Sequence, residues 1–306
     1  MADRRLQVFH AVAKHGSFTR AAEHLHMTQP AVTFQIKQLE EHFDTRLLDR
    51  GHGKISLTDA GELVLAYAER ILGLSAELDL RVSEMTDELA GQIKIGASTT
   101  IAAYWLPAAL QSFKQRYPRV LPRVVVGNSK LIENSVVARD LDIGLIELVS
   151  AHNNLERRNV ARDELKVICA PDHPLARSTA LRAKDLIAHP FIDRDPGNGI
   201  RLIADEFFEA AGIAGSEIHL CAEVGSLSAI KELAAAGLGF AIASERAIGR
   251  DLAAGRLSAV RLEPRLYTPL EIILPRDKFR SRVVATFAEH IAETFAALMT
   301  EQGSEA

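Results

Sequence analysis

Between Thr58 and Leu89 the chain carries one long helical pattern. Ala60, Val64, Tyr67, Ile71, Leu74 and Leu78 alternate spacings of four and three, and Val82, Met85 and Leu89 continue them after one stutter. Thr58 stands as the N-cap and Gly91 as the stop. About 30 residues rising 1.5 Å each make a rod on the order of 45 Å. Its outer face is acidic, because residues 59–90 hold eight Asp/Glu against two Lys/Arg. A rod so long and so charged does not fold back into a small domain. It divides the chain into residues 1–58, the helix 59–90, and residues 91–306. Its apolar seam reads as a dimerisation surface, the alternative being a solvated connector.

Ahead of the rod, Leu6, Phe9, Val12 and Ala13 recur at helical spacing and Gly16 stops them. Ser17 caps a short helix, Phe18–Leu25, whose Ala21 and Ala22 admit a neighbour closely. A turn at His26-Met27 leads to Thr28, the N-cap of a third helix with Pro30 in its first turn. On that helix Val32, Ile36, Leu39 and Phe43 form one stripe, the expected core side. Pro30, Phe34, Lys37 and Glu41 point the other way, with Gln29 and Thr33 beside them. Phe34 at the centre of a solvent face either touches a thymine methyl or packs on a neighbouring loop. Lys37 suits a base or a phosphate, and Gln29 and Thr33 offer hydrogen bonds. Gly51 and Gly53 then make a turn before the alternating Lys54–Leu57, which reads as a small wing flanked by Arg50 and Lys54. The outline is that of a winged helix-turn-helix.

These segments carry a resemblance. FHAVAKHGSFTRAAEHLHMTQPAVTFQIKQLEEHFDTRLLDR, followed by LTDAG, resembles the N-terminal domain of LysR-type transcriptional regulators from about Leu6 to Gly61. The resemblance implies double-stranded promoter DNA as a partner, with Gln29, Pro30, Thr33 and Phe34 at the DNA. It also implies linker helices that pair two chains, and dimers that pair into tetramers. An activator would in addition meet RNA polymerase. Three residues depart from the family pattern: Asp44 for the glycine that ends the third helix, Leu48 for a phenylalanine, and Phe34 for a basic or polar residue.

From Gly91 short strands alternate with helices. The strand candidates are Gln92–Ala97, Val124–Gly127, Asp142–Glu147, Lys166–Ala170, Phe191–Asp193, Ile218–Glu223, Gly239–Ala243 and Leu270–Leu274, with a last helix around Ser281–Leu298. Such alternation implies an open α/β sheet, and 216 residues suit two subdomains. GASTTIAAYWLPAALQSFKQRYP resembles the start of the LysR effector region, which is built like a periplasmic solute receptor. That likeness implies a two-lobe domain, one lobe about 91–162 plus 268–300 and the other about 163–267. Ser98, Thr99, Thr100, Asn128, Ser129 and Ser226 follow strand ends. Ligands in open sheets sit at such ends, although ordinary helix capping uses the same residues. The loop from Arg194 to Arg201, which includes Asn198, adds two glycines and two guanidinium groups suited to an anion. It resembles a Gly-Ser-Gly-Thr-Arg stretch of the family branch that regulates carbon-fixation or sulfur-assimilation operons. A small, anionic effector is the expected ligand.

Charge and composition narrow the alternatives. The net charge of −4 contradicts a basic architectural protein of the nucleoid, and the only positive segment is residues 1–58, with eight Lys/Arg against six Asp/Glu. Cys169 and Cys221 read as buried thiols; a redox pair stays open, without CxxC spacing to support it. No secretory leader and no apolar run of membrane length is read, so the cytoplasm is the expected address. Enzyme signatures fail: Gly237 and Gly239 follow a helix and lack the third glycine of a dinucleotide loop, and there is no G-x-S-x-G or HExxH. Neither a cofactor nor a metal is expected. The rival reading is an enzyme or solute receptor that carries a DNA-binding appendage.

Overall fold

The structure, a computed structural model, describes residues 3–49, 55–84, 89–148, 152–276 and 280–303. The chain forms two compact units, Met1–Asp87 and Glu88–Ala306.

In the first unit helices α1 (Arg4–His15), α2 (Phe18–His24) and α3 (Gln29–Phe43) precede strands β1 (Leu48–Asp49) and β2 (Ser56–Leu57) and helix α4 (Asp59–Glu84). Gly16 ends α1 in the left-handed region at φ 58°, and the Ser17 hydroxyl caps α2 by accepting from the Arg20 N–H. Val8, Phe9, Val12, Ala21, Ile36 and Leu39 build one buried core. The wing is the antiparallel pair β1–β2, with Leu48 opposite Leu57. Glu40 Oε1 ties it to α3 by accepting from the N–H groups of Leu47 and Leu48 at 2.9 and 3.2 Å. Thr58 caps α4, accepting from the Gly61 N–H at 3.0 Å while donating to the Arg46 carbonyl at 2.7 Å. Gly61 is required there, because a Cβ would lie 2.0 Å from the Leu47 carbonyl oxygen.

Three expectations are corrected here. Phe43 is 44% exposed and stacks edge-on with His42, since α3 has reached its last turn and left the core. Thr28 occupies the N-cap position of α3 but makes no side-chain cap bond. The described helix α4 ends at Glu84, and Leu89 packs instead on the apolar core of the second unit. The side chain of Val82 and the whole of Met85, Arg50 and Lys54 lie outside the described residues.

The second unit runs β3 (Gly91–Ser98), α5 (Thr99–Tyr104), α6 (Leu106–Arg116), β4 (Val120–Gly127), α7 (Ser129–Val137), β5 (Ile143–Ile146), β6 (Leu155–Cys169), β7 (Ala180–Leu181), α8 (Ala183–Leu186), β8 (Phe191–Arg194), α9 (Gly199–Ala210), β9 (Leu220–Val224), α10 (Leu227–Ala235), β10 (Ala241–Ser244), α11 (Glu245–Ala253), β11 (Ser258–Pro275) and α12 (Arg282–Gly303). Strands β4, β3 and β5 are parallel, and the sheet continues antiparallel through β11, β6 and β10. The parallel pair β8–β9 is joined to it by a bridge between Phe191 and Phe240.

Strands β6 and β11 are much longer than the candidates Lys166–Ala170 and Leu270–Leu274, because each runs through both halves of the unit and buries residues in several apolar clusters on the way. Ala161, Leu270 and Ile272 belong to one core, closed by Phe287, Ile291 and Phe295 of α12. Leu165, Val167, Val260 and Leu262 belong to another, with Phe191, Phe207 and Phe208. We call the halves around these cores lobe one and lobe two. A paired ribbon of two strands, Leu155–Cys169 against Ser258–Pro275, is thus the connection between them.

Candidate functional site

Two places gather the residues singled out by sequence. The first is the outer face of α3. Phe34 is 56% exposed on the outer face of the helix. Lys37 lies on the same face, paired with Glu41 at 3.5 Å across one helical turn. Gln29 Nε2 donates to Thr33 Oγ1 at 3.1 Å, and Thr33 Oγ1 donates to the Gln29 carbonyl at 3.1 Å. Pro30 stands beside them, exposed. Asp44 ends the helix in the left-handed conformation at φ 47°, a role glycine fills more often and aspartate tolerates. The chain after α3 therefore turns as a glycine would have allowed, and the exposed face stays free.

The second place is the seam between the lobes of the Glu88–Ala306 unit. Arg194, at the end of β8 in lobe two, is 2% exposed and donates from Nη2 to Thr99 Oγ1 of lobe one at 2.7 Å and to the Gly225 carbonyl at 3.3 Å. Its Nε and Nη1 are buried without a partner. Ser98 caps α5 and donates to Glu147 Oε2 at 2.7 Å. Ser129 Oγ accepts from the Glu147 N–H at 3.2 Å. Asn198 Nδ2 is a further buried polar atom without a partner. The buried Thr100 hydroxyl lies close enough to the Glu147 carboxylate to pull its pKa down, though the pair lacks a well-formed hydrogen bond. Asn128 reaches across the seam, donating to Asp195 Oδ2 at 2.9 Å and to the Pro196 carbonyl at 3.1 Å. Gly199 lets α9 approach, since a Cβ there would sit 1.9 Å from the Glu147 carbonyl oxygen.

Two expected members stand apart. Arg201 is held inside lobe two by Glu223, by Asp193 at 3.4 Å and by the Arg194 carbonyl at 2.7 Å. Its charge is already neutralised. Ser226 caps α10, accepting from the Ala229 N–H at 3.4 Å, which is the ordinary capping role. Glu147 is the member sequence reasoning missed as a site residue. The signal was a carboxylate closing the apolar strand IGLI at its carboxyl end.

Burial pushes the Glu147 carboxyl up to about 7, against the downward pull of the Ser98 hydroxyl and the Arg194 charge. The ordinary value, 4.5, applies in the unfolded chain. Between these pH values the folded state binds the extra proton, so stability falls as pH rises through the window. At about 1.4 kcal/mol per unit, the loss is complete above pH 8 and amounts to roughly 3 kcal/mol. Glu147→Gln keeps the acceptor for Ser98 and removes the charge. Urea melts of both proteins should agree at pH 5 and favour the variant at pH 8; parallel pH dependences would remove Glu147 as the source. Asp163 and Asp193, both raised by burial to about 6, add a further decline of the same sign that is common to both proteins.

No helix of the described residues is long and apolar enough to cross a membrane, and no group of three or more His, Cys, Asp or Glu among them could hold a metal ion. Residues 4–62 match "Bacterial regulatory helix-turn-helix protein, lysR family", and residues 86–296 match "LysR substrate binding domain". A "Probable RuBisCO transcriptional regulator" of Porphyra purpurea is 33% identical over 295 residues, covering 95% of this chain and 93% of that protein. A full-length OxyR variant from Pseudomonas aeruginosa superposes with a TM-score of 0.70 at 20% identity, covering 95% of this chain and 93% of the other. The regulatory domain of Synechocystis PCC6803 CcmR, solved in complex with 2-PG, superposes with a TM-score of 0.62 at 23% identity over 67% of this chain and 97% of its own. With both units matched in order and a relative aligned over nearly the whole length, the chain belongs to the LysR family: a helix-turn-helix transcriptional regulator with an effector-binding domain, and not an enzyme.

Proposed function

We propose that this regulator grips its promoter or operator through α3 and the wing, as a homodimer that pairs into a homotetramer in the cytoplasm. A small anionic metabolite held between the lobes changes that grip. The observation that carries the effector reading is Arg194: a buried guanidinium that bonds Thr99 across the seam and keeps two unpartnered nitrogens. The Asn198 amide nitrogen is also buried and unpartnered, and the Glu147, Asp195 and Asp193 carboxylates act on the Arg194 charge. Buried polar groups are normally paired, so the unpaired N–H donors of Arg194 and Asn198 fit an incoming anion. Ser98, Thr99, Asn128 and Ser129 complete the wall, and the 2-PG bound to the CcmR domain supports the ligand class. The Porphyra relative suggests a carbon-fixation operon as a first target to test. RNA polymerase is the further partner if the regulator activates.

Two apolar surfaces support self-association. Tyr67, Ile71, Leu74 and Leu78 form an exposed stripe on α4, while Ala60 and Val64, nearer its start, turn to the core of their own unit. Among the described residues strand β4 pairs with β3 alone, and it exposes Leu121, Val124, Val125 and Val126. An apolar edge strand of that kind invites a partner.

On the DNA side, Gln29, Pro30, Thr33 and Phe34 read bases while Lys37, Arg50 and Lys54 contact phosphate. Footprinting the region upstream of the protein's own gene should find a partly palindromic site. Lys37→Ala should then weaken all DNA binding and flatten its salt dependence by about one counterion. Phe34→Ala should relax preference at one position by roughly 1–3 kcal/mol. An unaltered ratio of cognate to mutated sites in the Phe34 variant would remove it from the readout.

A further inference from the structure

A cavity of about 470 Å³ lies at the opposite end of α5 from Thr99 and Thr100, within the size range of small-molecule sites. Lobe one lines it with Tyr104, Pro107 and Ala108 of the α5–α6 corner, and lobe two with Lys231 of α10 and Arg246 and Arg250 of α11. The three cations are not equivalent. Lys231 Nζ donates to Asp251 Oδ2 at 2.7 Å, to Tyr104 Oη at 3.2 Å and to the Ala247 carbonyl at 3.1 Å, so all three of its protons are used. Asp251 is shared with Arg256, which also pairs with Glu232, so this cluster is electrically balanced. Arg246 donates from Nε to the Tyr104 carbonyl at 3.0 Å and lies 4.6 Å over the Trp105 ring. Beneath it the Asp163 carboxylate accepts from Trp105 Nε1 at 3.2 Å and from Ser244 Oγ at 2.6 Å. Arg250 has no ionic partner among the described residues. It stands one helical turn from Arg246, so both guanidinium groups reach the same cavity.

We propose that this cavity is a second effector site, taking a small organic anion with one phosphate or carboxylate group on a compact apolar body. The acid meets Arg250 and Arg246, and the body rests on Pro107 and Ala108. The cavity walls belong to both lobes, so occupancy depends on how the lobes stand to one another. Helix α5 is only six residues long, with Thr99 and Thr100 at its start and Tyr104 at its end. A ligand at Tyr104 and an effector at Thr100 therefore act on one rigid element, and their coupling must be reciprocal. This site is separate from the Arg194 cluster, and its test keeps the two apart.

The probe is phenyl phosphate, titrated calorimetrically into the full chain, into Arg250→Ala and into Thr100→Val. Arg250 is exposed on α11, so its removal leaves the lobe packing in place. Arg250→Ala should lower the affinity by about tenfold or more, the loss of a hydrogen bond between charged groups, while Thr100→Val leaves this binding event within about twofold. A second variant, Ala108→Phe, should block the cavity and remove the same event. Affinity lost in Thr100→Val but kept in Arg250→Ala would put the probe at the Arg194 cluster and overturn the proposal, as would the absence of binding to the wild type.

Discussion

Arg194→Gln is expected to leave a folded regulator that binds operator DNA and no longer answers its effector. The wild-type guanidinium bridges the lobes by donating to Thr99 of one and sits beside the Gly225 carbonyl of the other. It also carries the charge that faces Glu147. Removing one member of a buried pair costs about 3–5 kcal/mol where the remaining charge stays uncompensated. Here Glu147, already raised to about 7, takes up a proton and brings the cost toward the lower figure at neutral pH. The effect on an anionic ligand is larger in proportion, because each hydrogen bond to a charged group contributes about 1.5–3 kcal/mol. Two such bonds from Nε and Nη1 correspond to a hundredfold or greater loss of affinity. Thermal melts and operator shifts on the same preparation separate the two effects. An effector response retained in Arg194→Gln would place the anion elsewhere.

Replacing Ile71 and Leu74 together with aspartate should break the proposed dimer. Both side chains lie on the exposed stripe of α4, Ile71 at 43% and Leu74 at 64% exposure in the single chain. Burying them against a second copy gains the apolar transfer energy, whereas burying two carboxylates there costs several kcal/mol. About 4 kcal/mol is already a thousandfold in the dissociation constant. Light scattering should therefore report half the wild-type mass or less. The fold of each unit should survive, since neither side chain belongs to the core of Val8, Phe9, Ile36 and Leu39. Unchanged mass would remove α4 from the interface.

The parts that sequence predicts well are those in which one period decides the outcome. The faces of α3 and the caps at Gly16, Ser17 and Thr58 follow from local spacing and hydrogen-bonding chemistry. The long strands do not. The first half of β6, LERRNVA, is too charged to read as a strand, and β11 contains Pro264 and Pro269, which argue against one. The partner strand settles both: β11 shifts register between Arg261 and Leu266, which accommodates the first proline, and resumes pairing beyond it. The site shows the same division. Ser98, Thr99 and Arg194 sit where strand-end reasoning expects them, but whether a guanidinium is available depends on its neighbours in space. Arg201 and Arg194 look alike in the loop, yet Glu223 and Asp193 occupy one and leave the other with two unpaired nitrogens. Glu147 enters the site through burial alone, which spacing does not report.

We propose that an anion is held in the seam between the lobes at Arg194. Calorimetric titration of the full chain with 2-PG, followed by a panel of phosphorylated and carboxylate metabolites, tests it when repeated on Thr100→Val and Ser98→Ala. Thr100→Val keeps the volume of the side chain and removes a buried hydroxyl that lies beside the Glu147 carboxylate. The binding anion should lose roughly ten- to a hundredfold in affinity with the Thr100 variant, while operator binding stays at the wild-type level. Equal affinity for every anion in the wild type and both variants would contradict the account.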